Sequence, residues 1–314
     1  MEILIESKTG NTLTTVAIGD EYYSNWYNYA YPSWKRYCEK YGIGLYVLNN
    51  YVSKKHEGYR KKANWEKLLT FYEIKKIDST TKTACYIDTD FIISPIAPNV
   101  FSYYKEKSKI ALVSQYKNMP YNDSDVRRRL AFFRHHYYDK KYPLDSALFM
   151  SLKDMCEYHG LPEIFDYACT GFFMGDVDTH ADYLLDLFYK YPEGVKSITD
   201  GGDEFHINHA LQTEVDIQWL PYPFQALWTY EMAWKYPFLY HYGRNNKELI
   251  KQCIEASLME NYFLHFAGSW GESKMWTEVH LFDNPETIER YEEFEKYCAQ
   301  PVTGKPVGRI MPNK

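Results

Sequence analysis

Between Leu13 and Leu48 the chain switches between two kinds of hydrophobic spacing, and that switch restricts the fold more than any other feature. Leu13–Ile18 (LTTVAI) is a short β-prone run that stops at Gly19-Asp20, where a glycine lets the backbone turn sharply. Ser24–Gly42 then reads as a helix with aromatic residues along one face, Pro32 as a break and Gly42 as its stop. Ile43–Leu48 returns to a strand. Strand, helix and strand at this spacing make a βαβ unit. The amino-terminal half is therefore expected to carry a Rossmann-type, mainly parallel sheet flanked by helices, the mark of an α/β fold.

The pattern continues through a basic loop (Lys54, Lys55, Arg60, Lys61, Lys62) into a second amphipathic helix, Asn64–Lys76, with Trp65, Leu68, Leu69 and Tyr72 spaced for burial. A third strand, Thr83–Ile87, runs directly into Asp88-Thr89-Asp90. Beyond Val113 the spacing loses its regularity. Residues 115–145 hold Arg127, Arg128, Arg129, Arg134, His135 and His136 and read as an excursion with a solvated, charged face. Thr170–Gly175 (TGFFMG) resumes the core, Tyr262–Phe266 is a last core segment, and helices are expected at Thr179–Tyr189, Glu204–Gln212 and Glu286–Cys298. Residues 301–314 read as a loose tail.

Asp88-Thr89-Asp90 is the segment that carries chemistry. In an extended chain residues i and i+2 face the same way, so both carboxylates can enter one crevice. The carboxyl end of a parallel strand is also where open α/β sheets bind ligands. Two uncompensated carboxylates repel each other and favour a hard divalent cation such as Mg²⁺ or Mn²⁺. Such an ion can bridge the two phosphates of a nucleoside diphosphate. An acidic strand-to-turn edge with no ligand uses the same residues.

Charge and composition remove several function classes. A net charge of −6 over 314 residues argues against a phosphate-tracking surface for nucleic acid. No P-loop, dinucleotide fingerprint or nucleophile elbow occurs. Six scattered cysteines without a C-x-x-C pair fit free thiols in a reducing compartment. No apolar run approaches the ~20 residues needed to span a bilayer and no signal-peptide pattern opens the chain, so the residues shown are expected to be cytoplasmic. The 32 tyrosines suit stacking on sugar faces, or ordinary half-buried packing. His206 and His209 stand three apart on an expected helix, but no H-E-x-x-H or cysteine partner supports a zinc site, which leaves them as surface or core polar residues.

The segment CYIDTDFIISPI resembles the D-x-D segment of GT-A fold glycosyltransferases, particularly the glycogenin-like group and its bacterial galactosyltransferase relatives. Three further segments match in the same order: Trp65-Glu66-Lys67-Leu68, Asp200-Gly201-Gly202-Asp203 and His265-Phe266-Ala267-Gly268. The likeness runs from about Thr14 to Trp276; residues 115–165 and those after 280 have no counterpart in it. It implies a single GT-A-like domain over 1–300, with residues 1–113 holding a nucleotide-sugar and 114–300 facing the acceptor.

By that resemblance Asp88 contacts the metal or the donor ribose, Asp90 is the principal carboxylate ligand, and His265 is the third ligand to Mn²⁺, or Mg²⁺. A packed core histidine is the other reading of His265. Ala17, Gly19 and Tyr23 match the nucleotide-binding edge of the first strand, and Lys67 and Gly268 match donor contacts. The family's lysine after the histidine is displaced here by three residues, leaving Lys274 as its candidate. Asp203 falls near the transferred sugar or acceptor, and is also placed to cap the helix that starts at Glu204. Glu204 stands where the family has glutamine and offers a second catalytic carboxylate. The implied reaction is metal-dependent transfer of a hexose from a nucleotide-sugar, a UDP-sugar, to a carbohydrate acceptor with retention at the anomeric carbon. The same residues also suit a nucleotide-sugar hydrolase or nucleotidyltransferase, and the aromatic content suits a non-catalytic carbohydrate-binding module.

Overall fold

A computed structural model describes residues 1–53, 61–138, 150–192, 203–277 and 279–301. In chain order the strands are β1 (Glu2–Ile5), β2 (Asn11–Val16), β3 (Gly44–Leu48), β4 (Thr83–Ile87), β5 (Phe91–Ile93), β6 (Ile110–Val113), β7 (Phe172–Asp176), β8 (Ile217–Leu220), β9 (Ala226–Leu227) and β10 (Phe263–His265). The α-helices are α1 (Asp20–Asn25), α2 (Tyr31–Tyr41), α3 (Thr70–Ile77), α4 (Asp123–Phe133), α5 (Leu152–His159), α6 (Val177–Lys190), α7 (Glu204–Glu214), α8 (Trp228–Lys235), α9 (Lys247–Leu258) and α10 (Pro285–Cys298).

Seven strands form the central sheet in the order β1-β3-β2-β4-β7-β6-β8. β2 pairs in parallel with β3 and β4, and β6 with β8, while β7 runs against both β4 and β6 and β1 runs against β3. Five strands (β2, β3, β4, β6, β8) therefore point one way, and the expected mainly parallel α/β sheet flanked by helices is present. Its burial explains the pattern. Every residue of β4 is buried, yet Cys85 and Ile87 pack with Trp34, Tyr37 and Cys38 of α2, whereas Ala84 and Tyr86 pack with Phe71 and Ile74 of α3 and Leu184 of α6. Alternation along the strand thus serves two apolar layers, one on each face.

A second sheet, β5-β10-β9, leans on this framework. β10 runs against β5 with His265 opposite Phe91, and Phe266 donates its N–H to the Asp90 carbonyl at 3.0 Å. That register joins the end of the chain's core to the segment just after β4.

Several elements depart from expectation. The first helix begins at Asp20 rather than Ser24 and passes through a π turn, Trp26–Ala30, before resuming as α2 with Pro32 in its first turn. A proline lacks an N–H, so it fits the start of a helix segment better than its middle. Residues 63–69 form a 3-10 turn, and α3 starts only at Thr70. β1 was not expected, nor were α5, α8 and α9. Arg128 and Arg129 are exposed as expected of a charged face, but Arg134 is buried in an ion pair with Glu272, which corrects the solvated reading of that residue. Lys54, Lys55, Arg60, Asp200, Gly201, Gly202 and residues 302–314 lie outside the described residues. Among the described residues no helix is long and apolar enough to cross a membrane. The six cysteines are unpaired, five of them buried.

Candidate metal centre

β4 carries the chain to the carboxyl edge of the sheet and releases it at Asp88. β7 starts beside this point because its antiparallel register sets Phe172 opposite Ile87, and the Asp88 N–H donates to the Gly171 carbonyl at 2.9 Å. From the other side β10 delivers His265. Asp88, Asp90 and His265 thereby bring one ligand atom each within 4.8 Å of one another, the only such grouping of three His, Cys, Asp or Glu side chains among the described residues. His265 Nε2 lies 3.2 Å from Asp90 Oδ1 and 3.8 Å from Asp88 Oδ2.

The surroundings orient these groups. His265 is buried and stacks on Phe91 with ring centroids 4.1 Å apart, and its Nδ1 faces Gln225 Nε2 at 3.3 Å and Cys169 Sγ at 3.8 Å. The Tyr86 hydroxyl donates to Asp88 Oδ1. Asp90 Oδ1, by contrast, is buried with no hydrogen-bond partner. A carboxylate oxygen pays a desolvation cost in that state unless a cation or donor reaches it. The donor set of two carboxylates and one imidazole fits Mn²⁺ or Mg²⁺, with the nitrogen favouring the former. Burial raises the Asp88 carboxyl above the usual range; Lys67 opposes the rise and the neighbouring Asp90 charge adds to it.

Gly171 keeps the space open. A Cβ at this position would sit 2.4 Å from His265 Cε1 and 2.6 Å from Asp88 Oδ2, so any side chain there collides with two members of the cluster. In the sequence Gly171 belongs to an apolar core run, and beyond its being a glycine that opens an otherwise bulky strand, nothing local marks it, Thr170, Gln225 or Asn64 as site residues.

Next to the cluster, Lys67 and Asp203 form a buried ion pair with Nζ–Oδ2 at 2.6 Å. Thr170 Oγ1 accepts a second Lys67 hydrogen bond at 3.0 Å, and Asn64 donates to Asp203 Oδ1. Burial alone would lower the Lys67 ammonium, but the Asp203 and Asp88 carboxylates outweigh it and hold it above its ordinary value. Lys67 is thus far from a solvent-facing lysine. Asp203 stands at the N-cap position of α7 without a capping bond from its side chain, which is spent on Lys67 and Asn64. Glu204 is half-buried, accepts from the Tyr167 hydroxyl, and lies 3.7 Å from Cys169 Sγ. Burial raises its carboxyl, partly offset by the Tyr167 hydrogen bond. Glu66, the neighbour of Lys67, instead accepts from the Val52 and Ser53 N–H groups and pins that loop.

The remaining candidates divide. Ala17 is buried at the end of β2, its N–H bonded to the Leu48 carbonyl at 2.9 Å. Gly19 opens α1 at φ 101°, a value only glycine adopts easily, and the ring of Tyr22 lies 3.9 Å from where its Cβ would be. Tyr22 is 68% exposed, whereas Tyr23 leans on Trp26 and Tyr27. Gly268 turns the chain after the histidine. Lys274 is exposed and lines a cavity whose walls include none of Asp88, Asp90 or His265. His206 and His209 are both buried on α7; His209 Nε2 faces the Pro162 carbonyl at 2.9 Å, and His206 packs on His159 and Tyr191.

No family model and no curated protein matches the sequence. Among solved structures the chain is similar to a glycosyltransferase involved in the glycosylation of the major capsid of PBCV-1, at 9% identity and a TM-score of 0.44 over 90% of this chain and 98% of that one. It is also similar to the WbbM bifunctional glycosyltransferase in its apo structure, at 12% identity and a TM-score of 0.46 over 96% of this chain and 51% of that one. This chain thus spans about half of the WbbM chain. Likeness this distant carries no activity across, because one fold hosts many chemistries.

Proposed function

We propose that this chain is a metal-dependent glycosyltransferase that moves a hexose from a UDP-sugar to a carbohydrate acceptor with retention, residues 1–113 serving the donor and 114–300 the acceptor. The observation that carries the reading is the convergence of Asp88, Asp90 and His265 at the carboxyl edge of the sheet, with Asp90 Oδ1 shielded from solvent and facing His265 Nε2 at 3.2 Å. A divalent ion in that position supplies charge neutralisation for a leaving nucleoside diphosphate. The protein's own part is preorganisation. Tyr86 fixes the rotamer of Asp88, Phe91 and Gln225 fix the plane of His265, and Gly171 leaves room between them. Gly19 and Tyr23, at the start of α1 just beyond the buried Ala17, are the residues assigned to the nucleotide.

Asp203 fits a positioning role. Its carboxylate is committed to Lys67 and Asn64, which suits the orientation of a sugar hydroxyl rather than chemistry on it. That commitment supports retention. Calorimetry of UDP with and without Mn²⁺ tests the donor site, and turnover of a UDP-sugar panel with a saccharide acceptor tests transfer. Mn²⁺-dependent UDP binding and an α-linked product from an α-linked donor, read by NMR of the anomeric proton, are the expected results. UDP binding indifferent to Mn²⁺ sinks the metal reading; release of free sugar in the presence of acceptor indicates a hydrolase; a β-linked product overturns retention.

A further inference from the structure

The edge of the sheet that releases Asp88 continues past the metal cluster. β7 runs against both β4 and β6, and β8 runs parallel to β6, so β4, β6 and β8 all end on that edge. β8 is three strands from β4, about 14 Å away at the usual strand spacing. Residues 118–121, just after β6, and 219–223, at the end of β8, wall a cavity of about 640 Å³. Lys117 and residues 163–166 wall a second, of about 470 Å³. Asn118 and Trp219 stand in both walls, so the two cavities lie side by side, each of the usual size for a small-molecule site.

Aromatic rings line both. Phe165 is 70% exposed, with the Lys117 ammonium 6.0 Å from its centroid, and Trp219 is half-buried. Tyr121 and Tyr222 are buried and meet edge to face, 89° between planes. Exposed rings gathered at one place mark a contact surface, and a ring suits the apolar face of a sugar. Pro120, Pro221 and Pro223 fix the backbone of the walls, so little freedom is lost on binding. The charged groups are spent on one another. Buried Glu231 accepts from the Tyr121 hydroxyl and pairs with Lys235 at 2.8 Å, and Lys235 also pairs with Glu260. Asp166 accepts from the Ser114 hydroxyl at 2.7 Å and from the Tyr167 N–H at 2.8 Å. With Glu163 added, carboxylates outnumber the ammonium groups of Lys117 and Lys235 among the described lining residues, which disfavours a phosphate and favours an uncharged ligand. Short pieces of chain tie both cavities to the metal cluster. The 3-10 turn Tyr222–Gln225, rising about 2 Å per residue, leads from the first cavity to Gln225, whose Nε2 faces His265 Nδ1 at 3.3 Å. From Asp166 in the second cavity the chain soon reaches Cys169, whose Sγ lies 3.8 Å from the same nitrogen.

We propose that this pair of cavities is a second saccharide site, which holds neutral sugar units of a glycan acceptor away from the hydroxyl that receives the hexose. The acceptor class is then an uncharged oligosaccharide rather than a monosaccharide. The word acceptor rests on the glycosyltransferase reading; the saccharide site itself does not.

Calorimetric titration of the full chain with maltohexaose, cellohexaose, chitohexaose and mannohexaose, each beside its own monosaccharide, tests this, with UDP plus Mn²⁺ and a proline decamer as further arms. At least one hexasaccharide is expected to bind at least about tenfold more tightly than its monosaccharide, because only the longer ligand covers several rings at once. Trp219→Ala should weaken that binding at least about tenfold and Phe165→Ala about threefold. Both variants should bind UDP with Mn²⁺ within about twofold of wild type, since neither ring belongs to the metal cluster. Phe165→Ala removes a ring that lies mostly in solvent, so the fold is kept whatever Trp219→Ala does. No binding by any hexasaccharide, or binding that both variants leave unchanged, overturns the proposal. Binding of the proline decamer in place of the sugars overturns it in favour of a peptide partner, and a parallel loss of UDP affinity in Phe165→Ala overturns it in favour of the donor. Should UDP and Mn²⁺ fail to bind the wild type while a hexasaccharide binds through Trp219 and Phe165, the transferase reading falls and the saccharide site stands.

Discussion

Two groups of buried imidazoles sit on this chain, and they differ in what faces them. His265 meets two carboxylates, one of whose oxygens has no other partner, while His206 meets His159, Tyr191 and Phe205 and His209 meets a backbone carbonyl. The H-x-x-H spacing of His206 and His209 looks more like a metal motif than a lone His265 does. A cation, however, needs negative charge and deprotonated donors brought to one point, and spacing along one helix supplies neither. Convergence came instead from two different sheets: β4 releases Asp88 and Asp90, and β10 returns His265 from far along the sequence.

The most forceful way to break this contrast is to remove one member of each group. Asp90→Ala is expected to weaken Mn²⁺ binding by more than about 100-fold, beyond what loss of an outer-shell partner costs. His206→Ala should change it by less than about threefold while lowering stability, as loss of a buried ring does. Equal losses in both variants would remove the distinction.

Gly171 sharpens it. The added methyl of Gly171→Ala must displace His265 or Asp88, a strain of about 1–3 kcal/mol, so Mn²⁺ affinity is expected to drop roughly tenfold in a protein that still folds. Unchanged affinity, measured by the same titration, would mean that His265 and Asp88 do not act together.

The smallest effect concerns pH. Burial, with His159 and His209 adding repulsion, lowers the His206 imidazole to about 4. Between pH of about 6.5, its ordinary value, and 4 the unfolded chain takes up a proton that the folded chain refuses, so stability rises with pH in this window. The contribution is complete above about pH 6.5 and is lost as pH falls toward 4, a change of order 1 kcal/mol. Chemical denaturation of wild type and His206→Gln across that window should show a flatter profile for the variant. Parallel profiles would place the acid sensitivity elsewhere.

Features that depend on neighbours in the chain are legible from the residues alone. Thr83–Ile87 reads as a strand with its ends correctly placed, and Asp88-Thr89-Asp90 follows it to the edge of the sheet; that its side chains feed two apolar layers is seen only in the fold. Trp65-Glu66-Lys67-Leu68 marked a segment of interest but not its division of labour, with Glu66 pinning a loop and Lys67 meeting Asp203 from across the molecule. Arg134 read as solvated because nothing local pairs it, and only folding brings Glu272 to it. Gly171 was silent for the same reason: its value lies in an absent side chain, and the atoms that need the space, on His265 and Asp88, become neighbours only when β7 and β10 close on the end of β4. Periodicity is enforced residue by residue along an element, whereas convergence of charge depends on register between elements, and register is decided by packing of the whole core.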